Sequence, residues 1–132
     1  MRQPCRILIV DDEEAVLFAM TEYFTHRGFA VDCARNGWQA EMLLAVNRYA
    51  AVITDVQLTG GHDRQGLYLI PYIRQQWPSV CIILLTANGS PEVEAEAHRR
   101  GVEAFLHKPM SLSHVERTVR GLLALRHDSY QR

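Results

Sequence analysis

Residues 7–14 read ILIVDDEE, so that four branched apolar residues, Ile7 to Val10, run directly into four carboxylates. An apolar run that does not alternate with polar residues is typical of a strand buried on both faces of a parallel sheet. The acids that follow lie at the mouth of the core, where like charges repel one another. The stretch predicts a first parallel strand with a charged site at its carboxyl end.

Length and composition limit the class of protein. The chain has 132 residues, 48% of them hydrophobic, which is enough for one ordinary core. Its net charge of -1 and its scattered basic residues disfavour direct binding of nucleic acid. No stretch has the length of a membrane span, so no membrane insertion is expected. Cys5, Cys33 and Cys81 lack a CxxC spacing, which favours a reducing, cytoplasmic location.

Apolar runs of strand length alternate with segments of helical period. The runs, rich in Val and Ile, lie at about 6–10, 29–33, 50–54, 80–85 and 103–107. Between the first two, apolar residues from 16 to 24 recur with the period of a helix. The pattern predicts one α/β domain at 1–126, a doubly wound parallel sheet of five strands with five helices, and a short polar tail at 127–132.

Turn and capping residues mark the helix ends. The first helix is expected to end at Arg27-Gly28, the second to begin at Asn36-Gly37, the third to run from Gly66 or Leu67 to just before Trp77, and the fourth from Ser90-Pro91 to Arg100-Gly101. The fifth begins near Ser111 or Ser113, and in the second case Glu116 completes a capping box. Pro71 is expected near the first turn of the third helix, where its missing N–H costs little, unless that helix begins later.

The ends of four strands carry the chemistry. These ends are Asp11-Asp12, Thr54-Asp55, Leu85-Thr86-Ala87 and His107-Lys108-Pro109. Ligands of open parallel sheets bind at the carboxyl ends of the strands. If the first and third strands are neighbours, about 4.8 Å apart, Asp55 and the acidic pair lie within reach of one ion. Such crowding calls for a divalent cation or a carboxyl group that keeps its proton, and oxygen ligands favour Mg²⁺ over Zn²⁺.

Four blocks of the sequence, "LIVDDEE", "VITDVQL", "ILLTAN" and "AFLHKP", resemble the signature blocks of two-component response regulator receiver domains of the chemotaxis-regulator type. The resemblance covers nearly the whole chain, with the blocks at successive strand ends. It implies a flavodoxin-like sheet with strand order 2-1-3-4-5. It also implies a phosphoryl-accepting switch, not an enzyme, that responds to a sensor histidine kinase or a histidine phosphotransfer protein.

The resemblance assigns the acids of the site. Asp55 accepts a phosphoryl group from a phosphohistidine of the partner. Asp11 or Asp12 holds Mg²⁺ together with Asp55 and the backbone carbonyl of Gln57. Phosphoryl transfer needs an in-line nucleophile, a metal and cations for the developing charge, and an ionised carboxylate needs no general base.

The resemblance also assigns a switch. Thr86 bonds one phosphoryl oxygen and Lys108 pairs with another, and the Lys108–Pro109 peptide bond is cis. Phe105 matches the switch aromatic, which turns inward as Thr86 moves toward the phosphoryl group. The signal leaves through the face of helix 4, strand 5 and helix 5, toward an effector protein that the sequence does not identify.

The chain departs from the family pattern after Asp55. Thr59 stands where the family usually has Pro, and the segment "TGGHDRQG" carries about three extra residues before Gly66. The longer loop at 59–66 is expected to affect the choice of partner and the lifetime of the phosphoryl group. It also affects whether the backbone carbonyl of Gln57 is positioned to bind the metal.

Other interpretations remain open. Asp11 and Asp12 could serve only as acids at a helix N-terminus, and Phe105 could be plain packing. The histidines have no clustered ligand spacing and are assigned no role: His26, His62, His98, His107, His114 and His127. The chain could be a fragment of a longer regulator, or an interaction module that works without phosphorylation. A phosphatase with an Asp nucleophile is disfavoured because "DDE" lacks the second acid of a "DxD" motif.

Overall fold

Strands and helices alternate through the computed structural model, which describes residues 4–55, 65–87 and 89–130. The strands are β1 Arg6–Val10, β2 Ala30–Ala34, β3 Ala51–Thr54, β4 Cys81–Thr86 and β5 Ala104–His107. The helices are α1 Glu14–His26, α2 Gly37–Val46, α3 Gln65–Gln76, α4 Pro91–Arg99 and α5 Leu112–Tyr130. All strand pairs are parallel, and the order β2-β1-β3-β4-β5 confirms the predicted flavodoxin-like sheet. Within the described residues, none of the helices has both the length and the apolar character needed to cross a membrane.

The sheet is buried on both faces, which explains why its strands are continuous apolar runs. In β1, Leu8 and Val10 pack toward α2, α3 and α4, whereas Ile7 and Ile9 pack toward α1 and α5. All four are at most 1% exposed. Successive side chains of a strand point to opposite faces of the sheet, and both faces are covered by helices. Successive strand residues are therefore all apolar, instead of alternating between apolar and polar.

The register aligns the carboxyl ends of the strands at one edge. Val10 pairs with Thr54, so the residues that follow β1 and β3 emerge side by side. The backbone N–H of Asp55 donates to the carbonyl of Val10 at 3.1 Å. The backbone N–H of Lys108 donates to the carbonyl of Thr86 at 2.8 Å. The backbone ladder itself therefore brings the sequence blocks together.

Capping residues explain four of the helix ends. The side chains of Asn36 and Ser90 accept hydrogen bonds from the backbone N–H groups of Gln39 and Val93. Gly28 and Gly101, at φ 96° and 99°, adopt the left-handed conformation after α1 and α4. These ends agree with the sequence prediction.

The start of α5 differs from one of the two predicted alternatives. Ser111 lies just before the helix, and its hydroxyl accepts a hydrogen bond from the backbone N–H of His114 at 3.2 Å. The capping box that pairs Ser113 with Glu116 is wrong, because Glu116 points across to α1. Its carboxylate accepts hydrogen bonds from Tyr23 of α1 and from Arg27, which directly follows that helix. The helix continues through Tyr130, so that residues 127–130 of the predicted tail are helical.

Pro71 lies farther inside α3 than expected, because the helix begins at Gln65. A proline in a helix interior cannot donate to the carbonyl four residues earlier, which here belongs to Leu67. The guanidinium of Arg100, at the end of α4, donates to that carbonyl at 3.1 Å. A side chain from the neighbouring helix thus replaces the missing backbone donor.

Candidate functional site

Two carboxylates and one ammonium group meet at the carboxyl edge of the sheet. The Lys108 Nζ donates to Asp11 Oδ2 and to Asp55 Oδ2, at 3.0 Å in each case. The side chains of Asp11, Asp55 and Lys108 are 5%, 12% and 20% exposed. The structure therefore brings together three predicted site residues from β1, β3 and β5 in a nearly closed cleft. The Lys108–Pro109 peptide bond is cis, as the resemblance implied.

The two adjacent acids of the first strand end differ in position. Asp11 is buried, and its Oδ1 accepts a hydrogen bond from the backbone N–H of Glu13 at 2.9 Å. Asp11 therefore also supports the start of α1, as the alternative interpretation expected, besides facing Lys108. Asp12 is exposed and lines a polar cavity of about 310 Å³. The other lining residues are Arg35 and Asn36, which precede α2, and Gln39 in its first turn.

The electrostatics of the cleft stabilise the charged form of Lys108. Burial alone lowers the pKa of this ammonium, but the hydrogen bonds and negative charges of Asp55 and Asp11 outweigh it, so the pKa is raised above its usual value. One ammonium facing two carboxylates leaves the group with a net negative charge.

Lys108 is the only lysine of the chain, because every other basic residue counted with it is an arginine. A lysine presents a compact point charge on a flexible stem, whereas a guanidinium is a planar fork.

Thr86 and Phe105 lie together beneath the segment that leads into α4. Both residues are buried, at 1% and 8% exposure. A methyl group in place of a Gly89 hydrogen would lie 2.7 Å from ring atoms Cε1 and Cζ of Phe105 and 2.9 Å from the Thr86 methyl. The absence of a side chain at Gly89 therefore permits this close packing. Phe105 already occupies the inward position that the predicted switch movement would bring it to.

The structure also gathers side chains that sequence reasoning left without a role. His98 and His107 both face the carboxylate of Glu94, with Nε2 to oxygen distances of 3.8 and 3.3 Å. The spacing of Glu94 and His98 on α4 was visible in the sequence, but only the fold brings His107 to them. In the part of the chain that the structure describes, no three His, Cys, Asp or Glu side chains are arranged to hold a metal ion.

An apolar cavity of about 590 Å³ adjoins the cleft between α1 and the start of α5. Its lining includes Val16, Ala19 and Met20 of α1, together with Met110 and Leu112. Lys108 lines the cavity too, so this surface is continuous with the charged site.

Part of the predicted site lies outside the described residues. This applies to Gln57, whose carbonyl was expected to bind the metal, and to Thr59 with most of the long loop at 59–66. His62 lies there too, and the side chain of His127 is not described.

A comparison with protein families identifies the class of the chain. The family model described as "Response regulator receiver domain" matches residues 7–120. The chain belongs to the response regulator receiver domain family. Receiver domains are the signalling-switch modules of two-component response regulators, so the resemblance read from the four sequence blocks is confirmed.

Curated relatives of this receiver domain include longer regulators. The response regulator MprA of Mycobacterium sp. (strain KMS) is 32% identical over 120 residues, which cover 91% of this chain and 51% of that protein. The transcriptional regulatory protein TctD of Salmonella typhimurium (strain LT2) is 27% identical over 118 residues, or 89% and 51% of the two chains. The chain thus spans about half the length of these relatives.

Solved structures support the same fold. The signal receiver domain of an HD domain-containing protein from Pseudomonas fluorescens Pf-5 has a TM-score of 0.88 and 28% identity, over 100% of this chain and 96% of that chain. A CheY-like receiver domain from Methanospirillum hungatei JF-1 has a TM-score of 0.90 and 21% identity, over 96% and 98%. A response regulator from Burkholderia pseudomallei, solved "with a phosphorylated aspartic acid, calcium ion and citrate", has a TM-score of 0.82 and 24% identity, over 96% and 72%.

Proposed function

We propose that Asp55 of this receiver domain accepts a phosphoryl group from the phosphohistidine of a sensor histidine kinase or a histidine phosphotransfer protein. The observation that carries the proposal is the pair of 3.0 Å contacts from Lys108 Nζ to Asp55 and Asp11. They place a half-buried cation and a second carboxylate beside the candidate nucleophile, at the edge where the strands end.

Phosphoryl transfer to Asp55 requires few groups besides Asp55, Asp11 and Lys108. A carboxylate oxygen of Asp55 attacks the phosphorus, the N–P bond of the phosphohistidine breaks, and the imidazole leaves with the electron pair of that bond. No general base is needed, because a carboxylate nucleophile carries no proton that must be removed. Lys108 neutralises charge on the phosphoryl oxygens, and the Thr86 hydroxyl donates to one of them.

The same residues fit a bound Mg²⁺ ion. Asp11 and Asp55 share one ammonium, and the remaining negative charge and oxygen-only donors suit a hard divalent cation. We assign the ion to Asp55 with Asp11 or Asp12 and the Gln57 carbonyl. When bound, Mg²⁺ supplies positive charge to the phosphoryl oxygens. Asp12→Ala is expected to weaken Mg²⁺ binding in a calorimetric titration, and an unchanged affinity contradicts a role for Asp12.

We assign the apolar cavity beside Lys108 to the phosphodonor protein. Its lining by Val16, Ala19 and Met20 gives a partner an apolar contact at the mouth of the charged cleft. Apolar surface that is continuous with a reactive group can orient a partner while its phosphohistidine reaches Asp55. The proposal includes a cytoplasmic location, where such kinases present their phosphohistidine.

The output is assigned to the face formed by α4, β5 and α5, with an effector protein as partner. Thr86 connects the site to this face, because its methyl group and the Phe105 ring both pack against Gly89. A phosphoryl group that attracts the Thr86 hydroxyl changes the packing under α4. It thereby favours one of the two conformations of the α4–β5–α5 face.

A second candidate function is a receiver-fold interaction module that works without phosphorylation. The buried position of Phe105, at 8% exposure, favours it, because an aromatic side chain that is already inward leaves less movement to a switch. The two functions differ in whether Asp55 carries a phosphoryl group at all.

Intact-mass measurement after treatment with acetyl phosphate and Mg²⁺ separates these functions. We expect the wild-type protein to gain one phosphoryl mass and Asp55→Asn to gain none. Asp32→Asn is the matched control, since Asp32 lies on β2 and contacts Tyr49 rather than the cleft. Equal phosphorylation of wild type and Asp55→Asn contradicts the assignment, and an unmodified wild type favours the interaction module.

A further inference from the structure

The first turn of α4 is attached to β5 by a pair of side chains. The His107 Nε2 lies 3.3 Å from Glu94 Oε1, and the His98 Nε2 lies 3.8 Å from Glu94 Oε2. Glu94 is 40% exposed and His107 is 55% exposed, so the pair is at the surface. An exposed pair of this kind makes a small contribution to stability. It can still bias two conformations that are close in free energy.

Phe105 lies directly beside this pair. Its ring and that of His107 are edge to face, with centroids 5.2 Å apart and an interplanar angle of 63°. Successive residues of a strand point to opposite faces, so Phe105 and His107 share the α4 face while Lys108 points into the cleft. The ring of Phe105 thus has Gly89 above it and the imidazole of His107 at its flank.

We propose that Glu94 and His107 form a latch between α4 and β5 that holds Phe105 in its inward position. The α4–β5 latch, meaning this pair of residues, closes the route by which the ring would leave the pocket. Glu94 and His107 are positioning residues of the switch, since neither is hydrogen-bonded to Asp11, Asp55 or Lys108 in the described contacts.

The latch acts on the same equilibrium as the phosphoryl group. Under the proposed function, a contact between the Thr86 hydroxyl and a phosphoryl group favours the inward position of the Phe105 ring. The inference about the latch rests on that proposed function. Interactions that favour one state add in free energy, so the latch raises the inward population before any phosphorylation. Loss of the latch is therefore expected to make the output face depend more strongly on phosphorylation.

Two variants of α4 test the latch. Glu94→Ala removes the partner of His107, whereas Glu92→Ala removes another acid of the same first turn, so the interaction with the helix dipole changes similarly in both. The readout is the NMR shift of the Thr86 methyl and of the Gly89 α-protons, which lie close to the Phe105 ring.

In wild type and Glu92→Ala, we expect these signals to show a ring-current displacement already in the unmodified protein. In Glu94→Ala, most of the displacement is lost in the unmodified protein and is restored by beryllofluoride. His107→Gln should behave like Glu94→Ala. Equal displacement in Glu94→Ala and Glu92→Ala overturns the latch.

The design separates the latch from the phosphoacceptor. The comparison of unmodified proteins does not require phosphorylation, so it decides the latch even if Asp55 accepts no phosphoryl group. Conversely, all variants of the latch should still gain a phosphoryl mass from acetyl phosphate, because none of them changes a residue of the cleft. A variant that loses this reaction contradicts the claim that the latch residues act only on the switch.

Discussion

The Lys108 Nζ lies 3.0 Å from the Oδ2 of Asp55, although the two residues are 53 positions apart in the chain. The contact exists because β3 and β5 end at the same edge of the sheet. It ties the residue proposed to carry the phosphoryl group to the one cation that the structure places beside it among the described side chains.

The rate at which the Lys108 amine is acylated is predicted to depend on its contact with Asp55. Its pKa is raised despite burial, because the carboxylates of Asp55 and Asp11 stabilise the ammonium. Stability from a raised pKa is present below the ordinary value of 10.5 and is lost as the pH rises through the folded value. In Asp55→Asn the amine should lose its proton at lower pH and react faster with an acylating reagent at a fixed pH near 9.

Peptide mass spectrometry measures this acylation at a single side chain, because the chain has no other lysine. The N-terminal amine serves as the internal reference. A Lys108 acylation rate that is the same in wild type and Asp55→Asn contradicts the electrostatic coupling.

Thr86 is predicted to relay the state of Asp55. Thr86→Ala removes the hydroxyl and should leave Asp55 phosphorylatable while abolishing the amide shift changes at residues 89–92 and 104–107 on addition of beryllofluoride. Thr86→Ser keeps the hydroxyl, so it should retain the response. If Thr86→Ala responds like wild type, or if wild-type changes avoid these segments, the relay is wrong.

Glu116 is predicted to shape the acid stability of the fold. Hydrogen bonds from Arg120, Tyr23 and Arg27 lower the pKa of this carboxyl to about 2. A lowered pKa contributes stability above the ordinary value of about 4.3, and that stability is lost as the pH falls toward the folded value. Between these pH values, Glu116→Gln should therefore show a flatter fall in unfolding free energy than wild type.

Chemical denaturation at several pH values measures this difference. Glu22→Gln is the control, because Glu22 is an exposed acid on the same side of the protein, on α1. The same pH dependence in wild type and Glu116→Gln rules out the proposed role of the carboxyl in acid stability.

Arg100 and Pro71 are predicted to be coupled energetically. In wild type Arg100 donates to the Leu67 carbonyl that Pro71 cannot bond. Arg100→Ala should therefore cost about 1 kcal/mol more in the wild-type background than in Pro71→Ala, where a backbone N–H can replace it. A double-mutant cycle by urea denaturation gives the coupling. Strict additivity of the two substitutions would show that the contact contributes nothing.

The sequence predicted the architecture well because its cues were local. The five apolar runs predicted the ends of each strand to within one residue. The capping residues Asn36 and Ser90 correctly predicted the starts of α2 and α4. The observed start of α3 at Gln65 precedes the predicted Gly66 or Leu67 by one or two residues, so that Pro71 lies in the helix interior. The compensating donor, Arg100, is distant in sequence and could not be seen.

The site was predictable as a set of strand ends but not as a set of contacts. Asp11, Asp55 and Lys108 meet as expected, whereas the different burial of Asp11 and Asp12 depends on the turn into α1. The inward position of Phe105 depends on the approach of Gly89. The pairing of His107 with Glu94 depends on how α4 lies on β5. Such side-chain contacts between distant segments leave no periodic pattern in a sequence.

The central claim is that Asp55 carries the phosphoryl group, and the most direct test is to locate that group. Borohydride reduces an aspartyl phosphate to homoserine, so peptide mass spectrometry of phosphorylated and reduced protein identifies the modified residue. We predict homoserine at position 55 alone, and only after treatment with phosphodonor and Mg²⁺. Homoserine at position 11 or 12, or none in a phosphorylated sample, would contradict the account.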